Sequence, residues 1–308
     1  MQISLDYSTE LLNSSLGISC IENHYMAVLM KNDFPYHAVY YKSFIPVINV
    51  VVDFMKNGSS YAYYRGLERL QYTGKQLGLA QTKAYENLDF EKVKQMLETE
   101  LTVKRLPILM RVDASKIDNV ADLPWREDHF IMIFGIRDEK VLLMDDFPKR
   151  VFEMDFSQLQ SAYNDEIILF ELLPSNKIRQ NAYEQLLIEI QAARIAYDAH
   201  AFEQMLESIS LDNLSALRDA VGILKISRRR MESLAASLGE QGASLLNELN
   251  EANRLTEKLY NAIELYRLRK TINSEFIKQS LFSLSALDTQ WLSRIQTNES
   301  NLNLEGLK

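Results

Sequence analysis

The sequence has a single cysteine, Cys20. A lone thiol forms no intramolecular disulfide and cannot build a thiolate zinc site by itself. Histidine is almost as scarce, with only His24, His37, His129 and His200, so any thiol–imidazole chemistry has few candidate partners. Cations are outnumbered, 34 Lys and Arg against 42 Asp and Glu, for a net charge of −8. That balance argues against generic nucleic-acid binding, because phosphate contacts need an excess of positive charge. No apolar run reaches the roughly 18 residues of a membrane span. The opening Met1-Gln2-Ile3-Ser4-Leu5-Asp6 lacks the basic start and apolar stretch of a secretory signal. A soluble, cytoplasmic protein is expected, with neither membrane nor nucleic acid among its partners. A P-loop, a Rossmann glycine pattern and HExxH are also missing, so neither a metal nor a bound cofactor is expected.

Proline is absent from a whole region. All six prolines lie at or before Pro174, and the rest of the chain has none. Proline breaks helix interiors, so such a stretch permits long helices. Tyr183, Leu186, Leu187, Ile190 and Ala193 recur with helical spacing, and further helical stretches run through Leu211–Leu224, Ser227–Leu238, Ala243–Lys270 and Ser274–Gln296. Gly239 and Gly242 suit a break between two of them. The division expected is therefore residues 1–174 as one domain and 175–308 as an antiparallel helical bundle, frayed after Asn298 and available for homodimer contacts.

The front half is mixed. Ser19–Met30 reads as a helix beginning at or just before Cys20, with an amphipathic pattern. Leu88–Glu100 reads as another, with Asp89 as N-cap. Short apolar runs then follow at Leu106–Val112, His129–Ile136, Lys140–Met144 and Ile167–Leu173, with Arg137-Asp138-Glu139 as a hairpin turn between two of them. Helix first and antiparallel strands later is an α+β arrangement.

Within this frame the chemistry gathers at two places. Leu16-Gly17-Ile18-Ser19 leads Cys20 into its helix. That position puts the sulfur where free backbone N–H groups and the helix dipole favour an anion. The alternative is a buried small hydrophobe. His129 opens its strand, and the next strand ends Val141-Leu142-Leu143-Met144-Asp145-Asp146. A turn near Asp138 sets a carboxylate close to the imidazole. Asp145 or Asp146 could accept the Nδ1–H bond and hold the tautomer that serves a thiol.

Cys20 at its helix start, together with Asp128-His129-Phe130-Ile131-Met132-Ile133-Phe134-Gly135 and Leu142-Leu143-Met144-Asp145, resembles the bacteriocin-processing leader peptidases of the papain-like superfamily. Lys104–Asp113 matches the strand before the histidine, and Phe152–Tyr163 the helix after the aspartate. With Ser227-Arg228-Arg229-Arg230-Met231 added, the chain is more closely similar to the butirosin biosynthesis protein H family, N-terminal domain type. The resemblance implies a papain-like α+β domain followed by an all-α domain. It also implies a Cys20, His129, Asp145 triad, and a cysteine acyltransferase of natural-product (antibiotic) biosynthesis. Such an enzyme takes an acyl group from the phosphopantetheine arm of an acyl or peptidyl carrier protein and passes it to a small-molecule amine or alcohol. Where papain-like enzymes often carry a glutamine before the cysteine, this chain has Ser14. The backbone N–H of Cys20 is then the assigned oxyanion donor, with Asn23 as a second candidate.

Arg228, Arg229 and Arg230 form the densest positive cluster, suited to docking an acidic carrier, or else a solvated helix face. Tyr40-Tyr41 and Tyr61-Ala62-Tyr63-Tyr64 could line an acceptor cleft, though core packing is the plainer reading. Trp291 is expected to seal the bundle. His24, one turn beyond Cys20, is expected to be structural or to edge the substrate. Two other function classes stay open. One is a cysteine peptidase or hydrolase with the same triad, and the other is a non-catalytic scaffold of a biosynthetic assembly.

Overall fold

The computed structural model describes residues 2–12, 16–17, 19–57, 70–117, 129–173, 184–185, 188–189 and 198–305. In chain order its main elements are β1 (Gln2–Ser4), α1 (Cys20–Lys31), α2 (Val47–Asn57), α3 (Leu70–Gln76), β2 (Ala80–Glu86), α4 (Phe90–Thr99), β3 (Ile108–Val112), β4 (His129–Arg137), β5 (Lys140–Asp146), β6 (Lys149–Asp155), α5 (Phe156–Ala162), β7 (Tyr163–Leu172), α6 (Ala199–Glu207), α7 (Leu214–Ser237), α8 (Glu240–Arg269) and α9 (Ser274–Glu305). They divide between two compact units. The first is Met1–Tyr36 with Leu70–Asn176, and the second is His37–Arg69 with Lys177–Lys308.

The first unit is an antiparallel sheet in the order β2-β7-β3-β4-β5-β6, with β1 pairing β4. The α+β expectation holds for it. β4 is buried from His129 to Ile136, and α1 packs on it. That helix is buried at every residue from Glu22 to Leu29, so it is a core helix and not the amphipathic one its pattern suggested. Close approach is built into its seat. A Cβ at Gly74 would lie 1.7 Å from the Tyr25 hydroxyl oxygen, and Tyr25 donates to the Ala80 carbonyl at 3.0 Å. α4 starts as expected, with Asp89 accepting from the Lys92 N–H.

Two features of the β4–β5 hairpin position the site. The turn residues Asp138 and Glu139 both have positive φ, 49° and 66°, as the tight hairpin turns that match strand twist require. A bulge then interrupts the ladder. Gly135 faces Leu142, while Ile133 faces Leu143, which leaves Phe134 as the extra residue. Carried past Met132 and Met144, the shifted register sets Ile131 opposite Asp145. Ile131 and His129 lie on one face by strand alternation, so the bulge gives His129 and Asp145 a common face. Without the extra residue, Asp146 would share it.

The second unit is helical. α7, α8 and α9 form its body, and α2 packs on α7. One helix, α7, runs unbroken from Leu214 to Ser237 through most of the two stretches read separately as Leu211–Leu224 and Ser227–Leu238. Gly239, at φ 62°, breaks α7 from α8.

Of the stretch expected within a front domain of 1–174, the described residues 37–57 group with the helical unit. The cause lies in α2 and the turn before it. Val47, Val50, Val51 and Phe54 are buried. The Val47 N–H donates to Asp288, the Ile45 carbonyl accepts from Arg228, and the Ser43 carbonyl accepts from Ser227. Pro46 sits ahead of the helix, where proline is tolerated, so it marked no domain boundary. The expected edge at Pro174 lies outside the described residues, as does most of the Tyr183–Tyr197 segment. No single helix among the described residues is long and apolar enough to cross a membrane.

Candidate active site

Cys20 is the first residue of α1 and is half-buried. Ser19 is the N-cap, and its hydroxyl accepts from the Glu22 N–H at 3.3 Å. The Ser19 carbonyl takes the Asn23 N–H. Among the described residues the Cys20 backbone N–H has no protein acceptor. As a helix-start donor it is the position assigned to an oxyanion.

His129 and Asp145 are both 3 % exposed. Their bond runs from His129 Nε2 to Asp145 Oδ1 at 2.8 Å, so the nitrogen held by the carboxylate is Nε2 and not the expected Nδ1. The Cys20 thiol lies within hydrogen-bonding reach of the same ring. The structure thus brings Cys20, His129 and Asp145 together. Burial alone would lower the His129 pKa. Hydrogen bonds to Asp145 and Cys20, with their negative charge, override it and push the ring up to about 10. The imidazolium is therefore the resident form at neutral pH, next to the sulfur.

Asp145 has partners that sequence reasoning missed. The Phe147 N–H donates to Oδ1 at 3.1 Å, and Arg150 Nη2 lies 3.5 Å from Oδ2. The Arg150 guanidinium stacks over Phe152, 4.3 Å from the ring centroid. These residues stand on or beside β6. Their segment was read as helix from Phe152 onward, whereas the helix begins only at Phe156. The signal available was the alternation Lys149-Arg150-Val151-Phe152-Glu153 after a turn.

His24 is wholly buried. Burial holds it below the ordinary histidine range against the pull of Asp146 and Asp145, so it stands neutral beside the triad. It is a buried neighbour of the triad residues and has no solvent-facing edge. Asn23, the second oxyanion candidate, is buried, and one of its two amide N–H groups is engaged, donating to Asp146 Oδ2 at 2.7 Å. Ser14 lies outside the described residues.

His129, Asp145 and Asp146 hold ligand atoms within 4.8 Å of one another. Within this group His129 Nε2 and Asp145 Oδ1 are bonded to each other and Asp146 Oδ2 accepts from Asn23, while Asp146 Oδ1 accepts no hydrogen bond among the described residues.

The arginine cluster fails as a docking face. Arg228 and Arg230 are 1 % and 0 % exposed. Arg228 reaches both oxygens of Asp288, at 2.5 and 2.7 Å, and lies over the Phe44 ring. Arg230 lies over Tyr40, and Arg229 pairs with Glu257. Helix geometry sends the three in different directions, and two of those directions are inward. Tyr40 and Tyr41 are buried in the helical unit, which fits the core reading. Tyr61–Tyr64 lie outside the described residues. Trp291 is buried with its ring 4.7 Å from Phe44, as a bundle seal should be.

No protein-family model matches the sequence, and no curated protein does either. Among solved structures, a double glycine motif protease from an AMS/PCAT transporter, crystallised with its leader peptide, is similar over 56% of this chain and 99% of that one. The identity is 15% and the TM-score 0.31. A likeness at that score carries no weight for fold or activity, so the functional reading rests on the site itself.

Proposed function

We propose that the chain is a cysteine-dependent acyl-transfer enzyme with a papain-like catalytic unit. The observation that carries this reading is the ordered set of three groups. A half-buried thiol stands at a helix start, with an imidazole beside it whose Nε2 is fixed by a buried aspartate. Scaffold residues have no need of a charged imidazole held next to the one thiol.

In this reading Cys20 and His129 form a thiolate–imidazolium pair. Cys20 Sγ attacks an acyl carbonyl, and the carbonyl electrons move to oxygen. The Cys20 backbone N–H stabilises that oxyanion, a contribution of about 3 kcal/mol per donor in such sites. His129 gives its proton to the leaving group as the carbonyl re-forms, leaving the acyl group on sulfur. It then takes a proton from the incoming amine or alcohol, which attacks the acyl-enzyme and frees Cys20. Asp145 keeps the ring oriented and offsets its charge throughout.

The donor class follows the resemblance stated above. It is a thioester on the phosphopantetheine arm of an acyl or peptidyl carrier protein, which is substrate here and not a resident group. With the arginine cluster buried, the carrier's docking face is left unassigned. Intact-mass spectrometry after incubation with acyl-loaded carrier proteins tests the reading. A covalent acyl adduct is expected on the wild type and none on Cys20→Ala. Turnover of peptides but never of thioesters would instead favour a peptidase. If neither donor gives Cys20-dependent chemistry, the enzyme reading is lost.

A further inference from the structure

We propose that Asn23 and Asp146 act as positioning residues, a strut that fixes Cys20 against His129. The proposal rests on the reading of Cys20 as the nucleophile. Asn23 stands three residues after Cys20, on the same side of α1 one turn on. Asp146 is the residue after Asp145. Their hydrogen bond, from Asn23 Nδ2 to Asp146 Oδ2 at 2.7 Å, directly ties the helix carrying the thiol to the strand carrying the triad carboxylate.

The same amide also governs the loop that delivers Cys20. A Cβ at Gly17 would lie 1.8 Å from Asn23 Oδ1 and 2.7 Å from its Cγ, so the backbone there rests against the Asn23 side chain, and a larger residue would have to displace it. Asn23 is 6 % exposed. Loop, helix start and strand end therefore meet at one side chain.

Energetically the pair is a poor stabiliser. Asn23 Oδ1 and Asp146 Oδ1 are both buried and accept no hydrogen bond among the described residues. Buried acceptors left unsatisfied cost folding free energy, and an apolar pair of similar shape would avoid that cost. What an apolar pair would not supply is a directional bond of fixed length between the two carriers of the reacting groups. Thiol–imidazole chemistry is sensitive to that geometry, and a displacement of about 1 Å can cost about 10²-fold in rate.

The test is an exchange of the two side chains in the full-length protein. Asn23→Asp sets two carboxylates face to face and breaks the strut. Adding Asp146→Asn restores a donor–acceptor pair with the roles reversed. Asp146→Ala, which removes the bond without adding charge, serves if Asn23→Asp does not fold, and far-ultraviolet circular dichroism reports folding for each. The readout is the rate of Cys20 alkylation by iodoacetamide at pH 6, set beside His129→Gln, with adducts counted by intact mass.

Wild type is expected to react faster than His129→Gln. Asn23→Asp and Asp146→Ala should fall by about tenfold or more, and the exchanged double variant should recover most of the rate. A wild-type rate no higher than that of His129→Gln overturns the nucleophile reading and the strut with it. A His129-dependent wild-type rate that the folded single variants keep overturns the strut alone. So does a folded double variant no faster than Asn23→Asp.

Discussion

Both units bury a cation against an aspartate, and the surroundings of the two pairs differ. In the helical unit, Arg228 reaches both oxygens of Asp288 and donates to the Ile45 carbonyl, and Asp288 takes the Val47 N–H. That pair ties α7 and α9 to the start of α2, and its reach is spent on backbone. In the sheet unit, Asp145 is likewise committed, to His129, Phe147 N–H and Arg150. His129, however, has only one ring nitrogen on the carboxylate, and a half-exposed thiol within reach of the ring. Burial and charge are thus common to a structural tie and a reactive site. What separates them is a reactive atom left within reach of a substrate.

The largest expected effect comes from taking that atom away. Cys20→Ala should abolish acyl-adduct formation, with the fold intact by circular dichroism. Asp145→Asn should lower turnover of a small thioester by about 10²–10⁴-fold, the usual share of a positioned acid–base group. Asp146→Asn should cost much less, because the bulge at Phe134 gives Asp145 the face of His129. If Asp146→Asn were the worse lesion, the register drawn for this hairpin would be wrong.

The pH dependence sharpens the contrast, because only the sheet unit's cation is expected to titrate near the working range. An unperturbed histidine has a pKa of about 6.5, whereas His129 holds its proton to about 10 in the folded chain. A raised value means that the protonated ring stabilises the fold. The contribution is full below about pH 6.5 and is lost as pH rises through about 10. The urea midpoint of wild type minus that of His129→Gln should therefore shrink between pH 6 and pH 10.5. A difference that stays constant would remove the imidazolium from the stability account. In turnover, the alkaline limb should lie near pH 10 and move down in Asp145→Asn.

Breaking the structural pair should instead cost stability outright. Asp288→Ala leaves Arg228 buried without its carboxylate, and lesions of that kind cost about 3–5 kcal/mol. Replacing both partners with well-packed apolar residues should cost less than removing either one alone. Urea unfolding of the single and double variants measures both. A double variant as unstable as the sum of the singles would show that the two side chains act independently, contrary to the geometry.

Much of this division was legible in the sequence, and the rest was hidden for physical reasons. His129 and the 145–146 carboxylates were found because a hairpin makes residues 129 and 145 spatial neighbours whatever the tertiary fold. The choice between the two nitrogens of the ring was not legible, since it depends on which side α1 lies. β6 was missed because Phe152–Tyr163 was read as helix from the family resemblance, which passed over the strand alternation at its start. The grouping of the described residues 37–57 with the helical unit was not legible, because the partners of the α2 start, Arg228 and Asp288, lie nearly 200 residues or more away in the sequence. Pattern reading saw Arg228-Arg229-Arg230 as charge on a helix. It could not see that an inward-facing arginine had an aspartate waiting on α9.

That cluster supplies the smallest expected effect and the sharpest control. Arg229 keeps 33% of its side chain exposed, and its partner Glu257 keeps 39%. An ion pair that wet is screened by water and salt and is worth about 0–1 kcal/mol. Arg229→Ala should therefore move the urea midpoint by no more than that amount. Arg228→Ala, one residue earlier on the same helix, strands Asp288 in the interior, where burial already pushes its carboxyl upward, and should cost about 3–5 kcal/mol. The two substitutions remove the same charge from adjacent positions, so composition and helix propensity cancel in the comparison. Only burial and the geometry of the partner differ. Equal losses would mean that burial does not separate these arginines, and the structural role given to the Arg228–Asp288 pair would have to be withdrawn.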